Sequence, residues 1–150
     1  MSPLFGQDRD RMRRFYCRAW AKSCADQPLE PLESQLVAVI RQHPEYHTLL
    51  ADEDAACAWE PNPQSGTDNP FLHMGMHLAL HEQLSTDRPE GIREIYRGLA
   101  AAGGDTHTLE HRMMECLGQA LWQAQHSGLP PDEAAYFECL RRLTGRRGSN

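Results

Sequence analysis

At 150 residues, 40 % of them apolar, the chain has the length of one domain and enough apolar side chain to bury a core, so a single domain over 1–150 is expected. No apolar run approaches a bilayer span and no charged-then-apolar N-terminal signal is present, which predicts a soluble, cytoplasmic protein with no membrane partner. Five scattered cysteines (Cys17, Cys24, Cys57, Cys116, Cys139), with no C-x-x-C pair, argue against a disulfide framework and a zinc ribbon and predict reduced thiols.

The net charge of −6 is unevenly spread: residues 1–22 and 141–150 hold ten of the fifteen basic residues and only two acids, so the rest of the chain is strongly acidic. Basic ends of this kind either touch RNA or an acidic partner, or dock on the chain's own acidic middle.

Helical periodicity dominates, and the fold class it predicts is all-α, an up-and-down bundle of five or six helices. The first runs from about Asp8 to Cys24, with Met12, Phe15, Tyr16, Ala19 and Trp20 on one side and the arginines largely on the other. The second starts near Pro31, where a missing N–H costs nothing, packs Leu32, Leu36, Val37 and Ile40, and ends or kinks at His43 before Pro44. A further helical turn fits 45–50. A polar connection rich in Pro and Gly follows over about 51–68, long enough for a mobile or lid-like loop. Asp68 or Asn69 then caps a third helix with Pro70 at its first position. A fourth carries Ile92, Ile95, Tyr96 and Leu99 up to Gly103-Gly104. The fifth, capped by Asp105 or Thr106, runs to Gln125 or His126, and the sixth offers Tyr136, Phe137, Leu140 and Leu143 before Gly145.

The chemistry concentrates on the third and fifth helices. At about 100° per residue, His77 lies some 40° round the helix from His73, and both face inward with Leu80 and Leu84; His81 has drifted further. His107, His111 and Glu115 border the apolar arc of the fifth helix. Short connections would make the two helices parallel and bring these residues to one level, with His43 and His47 near them and His126 on the surface. Clustered buried imidazoles need partners for both ring nitrogens, and a metal supplies one for each. The expected cofactor is therefore a divalent Fe, Zn or Mn ion with His73, His77, His107, His111, Glu115 and His47 as ligands. Glu45, Glu82, Asp105 and Glu110 are candidates to orient the rings from behind.

The stretch Asn-Pro-Phe-Leu-His-Met-Gly-Met-His, with His-Pro-Glu-Tyr-His before it and Glu-His-Arg-Met-Met-Glu-Cys-Leu after it, resembles a bacterial family of small helical proteins carrying a domain of unknown function. That resemblance covers about Leu4 to Leu143 and implies an intracellular, proteobacterial protein; it brings no activity with it. A weaker likeness is to hemerythrin-type and DinB-type metal-binding bundles: His111-x-x-x-Glu115 looks like one hemerythrin element and His73-x-x-x-His77 like another, in reversed chain order.

No H-E-x-x-H, G-x-S-x-G, phosphate-binding glycine loop or dinucleotide fingerprint is present. The leading expectation is a metal-binding helical protein, with hydrolysis by metal-activated water and oxygen handling both open. The alternative is a non-enzymatic module binding RNA or an acidic partner through Arg11, Arg14 and Arg18; a third is a pH-responsive histidine scaffold. A homodimer is compatible with either of the first two.

Overall fold

The computed structural model describes residues 3–61 and 69–147, with side chains described for 8–61 and 69–143. Among the described residues there are eight α-helices, one 3-10 turn and no strand. The chain divides at Gly75 and Met76 into two compact units.

The first unit contains α1 (Pro3–Cys24), α2 (Pro31–Arg41), a 3-10 turn (Pro44–Tyr46), α3 (His47–Leu50), α4 (Glu53–Ala58) and the opening of α5 (Pro70–Thr86). In α2, Pro31 begins the helix and Glu33 folds back so that its Oε1 accepts from the Glu30 N–H at 2.8 Å. Helical geometry stops before Pro44, as expected for the residue preceding a proline. Asn69 opens α5: its Oδ1 accepts from the N–H groups of Phe71 and Leu72, while Asp68, the other candidate cap, lies outside the described residues.

Two short helices raise the count above the five or six expected: α3 falls within the helical turn expected over 45–50, and α4 arises from an overlooked start. Asp52-Glu53-Asp54 reads as polar loop, yet Asp52 is an N-cap whose Oδ1 accepts from Ala55 N–H at 3.1 Å, with two acids in the first turn complementing the helix dipole. Of the loop expected over about 51–68, residues 62–68 lie outside the described residues.

The inner face of α1 is rotated from the expected one. Tyr16, Cys17 and Ala19 are buried, but so is Arg13 at 3 % exposure, whereas Met12 is turned outward. The Arg13 Nη1 donates to three carbonyls, those of Ala56, Cys57 and Trp59, at 3.0, 3.2 and 2.8 Å, and its guanidinium lies over the Phe71 ring at 4.5 Å. The C-terminal end of α4 leaves backbone carbonyls unsatisfied, and this arginine supplies the donors, so a charged residue wins an interior position. Leu32, expected inside α2, is exposed, and Glu33 is buried instead against Lys22 Nζ at 2.9 Å.

The second unit comprises the rest of α5, α6 (Ile92–Ala101), α7 (Thr106–Ser127) and α8 (Glu133–Arg147). Its core joins Leu80 of α5, Ile92 and Leu99 of α6, Leu109, Met113, Met114 and Leu117 of α7, and Tyr136, Leu140 and Leu143 of α8. Asp105 caps α7 by accepting from Thr108 N–H, and Gly128, at φ 74°, closes it in the left-handed conformation that glycine adopts without strain. Helix α8 continues two residues beyond the expected stop at Gly145.

One sequence expectation is overturned here: Cys116 of α7 and Cys139 of α8 form a disulfide, while Cys17, Cys24 and Cys57 are thiols. The packing of α7 on α8 brings their Cα atoms to 5.8 Å, within reach of a bond. Burial, reinforced by Glu53 and Cys57, pushes the Cys17 thiol up to about 11, so it is an inert core residue.

Candidate metal centre

The spacing of α5 sets the geometry in the second unit. Four residues is a little more than one helical turn, so His77 and His81 project from the same side of α5, with their ring centroids 4.7 Å apart. His77 is fully buried and His81 half-buried. Facing them from α7 is Glu110, whose side chain is only 13 % exposed. A single carboxylate oxygen, Oε1, accepts from both rings, from His77 Nε2 at 2.7 Å and from His81 Nε2 at 3.0 Å.

Burial raises the Glu110 pKa, but the N–H donors and charge of His77 and His81 outweigh it and bring the carboxyl down to about 2. Tyr96 of α6 also hydrogen-bonds Glu110; burial and the neighbouring carboxylate both push its phenol up, so the hydroxyl is a donor and stays protonated. One nitrogen from each histidine and an oxygen of Glu110 all lie within 4.8 Å of one another, a set of ligand atoms able to hold a metal ion.

His107 and His111 adjoin this group. Their rings are 4.1 Å apart, and both approach His77, at 5.9 and 5.6 Å between centroids. Three of the six residues expected as ligands, His77, His107 and His111, are therefore brought together in the second unit.

Of the other three, Glu115 belongs to the second unit and His47 and His73 to the first. Glu115 is exposed and lines a small surface cavity with Arg112, Gln119, Arg142 and the disulfide. His47 belongs to the first unit, with its ring against Trp20 at 4.3 Å; its Nε2 donates to the Ile40 carbonyl at 2.9 Å, which fixes the proton on that nitrogen. His73, one helical turn before His77, meets buried His43 edge-on at 4.6 Å in the first unit, and Tyr46 stacks on that same His43. The His43 Nδ1 donates to Glu45 at 3.1 Å; burial opposes ionisation of Glu45, but its own backbone N–H and His43 more than compensate and its pKa is lowered. His126 is exposed against Trp122, as expected of a surface residue.

Glu110 and His81 are the members that sequence reasoning underrated, and the signal for the first was present. Glu110 shares a stripe with Met113, Met114 and Leu117, all buried, so it is an acid on the apolar face of α7. Glu115 shares its direction with Thr108, Arg112 and Gln119, the outer face. An acid on the inner stripe must find donors, and it does so in two imidazoles and a phenol.

The basic α1 face has partners of its own within the first unit. Arg14 and Arg18 both reach Glu53, at 3.5 and 3.2 Å, and Lys22 reaches Glu33, an arrangement in which the basic end docks on the chain's own acids. Arg146 and Arg147 lie outside the described side chains.

Fold and site together define an all-helical protein with a largely buried histidine and carboxylate cluster whose ligand atoms lie close enough to hold a metal ion. Among the described residues no helix is long and apolar enough to cross a membrane. The chain belongs to the family described as Domain of unknown function (DUF1841), whose model matches residues 8–142. No curated protein and no solved structure matches it.

Proposed function

We propose that this protein binds a divalent transition-metal ion through His77, His81 and Glu110, with His107 and His111 beside the ion as further ligands or as partners for a bound water. The observation that supports this most is the convergence of two imidazole nitrogens on one carboxylate oxygen, at 2.7 and 3.0 Å. With metal–ligand bonds of about 2.1 Å, neighbouring ligand atoms stand roughly 3.0 Å apart in an octahedral shell and about 3.4 Å in a tetrahedral one. Two of the three ligand pairs therefore already have the spacing of a coordination shell, and the third lies within 4.8 Å. A metal bond at Nε2 requires that nitrogen to be free of its proton.

Two nitrogens and one oxygen suit Fe(II), Mn(II) or Zn(II) better than the oxygen-only shells of Ca²⁺ and Mg²⁺ or the sulfur ligands of Cu(I). Three protein ligands leave positions open, where the ion would lower the pKa of a bound water or, as iron, meet oxygen. Tyr96 also hydrogen-bonds Glu110, the kind of outer contact that fixes a ligand's orientation.

The test is elemental analysis of protein purified without an affinity tag, together with titration by Fe(II), Mn(II) and Zn(II). About one equivalent per chain is expected, falling to background in His77→Ala and Glu110→Ala. A parent protein that neither retains nor takes up metal would reduce the cluster to a hydrogen-bonded polar core and end the proposal.

A further inference from the structure

The Cys116–Cys139 bond and the cavity beside it share no residue with the histidine cluster, and the bond is unlike a purely structural staple in three respects. Its two helices are already joined by an apolar core in which Leu109, Met113 and Leu117 of α7 meet Tyr136, Leu140 and Leu143 of α8. Its two cysteines are unequally shielded, since Cys116 is 2 % exposed whereas Cys139 is only partly buried. Both cysteines line a surface cavity of about 80 Å³ whose wall carries two guanidiniums, Arg112 and Arg142, against one carboxylate, Glu115. Arg142 also reaches Glu138 at 3.3 Å, but both side chains are about 70 % exposed, so that pair opens readily in water.

We propose that the mouth of this cavity is a thiol-exchange site for a small anionic thiol of the glutathione class, whose thiol arm enters while its carboxylates stay outside with the guanidiniums. The guanidiniums attract the carboxylates of such a thiol and stabilise the thiolate that leaves. Its thiolate attacks Sγ of Cys139, the less buried cysteine; a new S–S bond forms there while the Cys116–Cys139 bond breaks. The electron pair of the broken bond departs on Cys116 Sγ, which takes a proton from water. A second small thiolate attacks the mixed disulfide and releases Cys139 as a thiolate that is protonated in turn. The net change is a two-electron reduction of the protein disulfide and oxidation of two small thiols to their disulfide. Running in reverse, the small disulfide restores the bond.

The experiment uses the full chain carrying Cys24→Ala and Cys57→Ala, which removes the exposed and half-exposed thiols. Incubation with reduced and oxidised glutathione is followed by intact mass, peptide mapping and far-UV circular dichroism. The expected results are a reduced dithiol form that keeps its helical spectrum, and a mixed disulfide that accumulates at Cys139 when Cys116→Ala removes the resolving thiol. Cys139→Ala should trap far less adduct at Cys116, and Arg112→Gln with Arg142→Gln should slow exchange several-fold. A bond that resists glutathione until the helices melt, an adduct that favours Cys116, or exchange indifferent to both arginines would overturn the proposal. These readouts need no metal, so they stand whether or not the histidine cluster binds one.

Discussion

Replacing Glu110 by Gln removes one charge and leaves a side chain of nearly the same shape, so it isolates what the carboxylate does for the folded state. In the protein, Oε1 accepts from His77 and His81 at 2.7 and 3.0 Å, with Tyr96 as a further donor. The carboxyl falls from an ordinary 4.5 to about 2. At about 1.4 kcal/mol per pH unit this depression corresponds to about 3 kcal/mol of stability. The side chain is only 13 % exposed, so little of that is screened away by solvent. A folded pKa below the unfolded one means the contribution is complete above about pH 4.5 and is lost as pH falls towards 2. Glutamine keeps an acceptor oxygen but not the charge that roughly doubles the strength of each bond, so about 2 kcal/mol should disappear at pH 7. The assay is urea denaturation of the parent and Glu110→Gln in the presence of a chelator, from pH 7 down to pH 3. The gap between the two should narrow steadily below about pH 4.5. A gap that is the same at pH 7 and pH 3, or that is below about 0.5 kcal/mol at pH 7, would show that the carboxylate is not held by these donors.

Arg13→Ala should destabilise the first unit by about 3 kcal/mol, because it removes the guanidinium donor from the carbonyls of Cys57 and Trp59, leaves that of Ala56 only its long bond from the Trp59 N–H, and empties space beside Phe71. Thermal unfolding reads this directly, and a loss under about 1 kcal/mol would mean that water replaces the guanidinium at no cost. Two glycines should respond in opposite directions to alanine. Gly91 has φ 102° and a Cβ there would lie 3.5 Å from Phe137, so Gly91→Ala should cost about 1–2 kcal/mol. Gly118 lies inside α7 with ordinary room beside Met76, so Gly118→Ala should stabilise by up to about 1 kcal/mol; the denaturation midpoints of the two variants should move apart.

The long helices were legible because their signals are local. Pro31 and Pro70 at first positions, Asn69 and Asp105 as caps, and Gly128 as a left-handed stop each act within a few residues of where they stand. The same rules would have found α4 from Asp52, had the acidic run been read as a cap and first turn. Periodicity was less secure at the level of single residues: Met12 and Leu32 face out, while Arg13 and Glu33 face in. In each case a buried charge has found its partner, three carbonyls or an ammonium group, and such partners lie far along the chain or on another helix.

What the sequence determined by itself was the all-helical class and the inward direction of His77, since 3.6 residues per turn is a property of the backbone and needs no knowledge of the neighbours. Which carboxylate meets that histidine was decided only in three dimensions. Glu110 and Glu115 are both near His111 in sequence, but Glu110 points with Met113 and Leu117 into the second unit, and Glu115 points to solvent. The disulfide was decided there too, because 23 residues separate Cys116 from Cys139 and only the packing of α8 on α7 makes them neighbours. Helix direction is set by nearest neighbours in the chain, whereas pairing across helices depends on how the apolar faces of distant segments fit together.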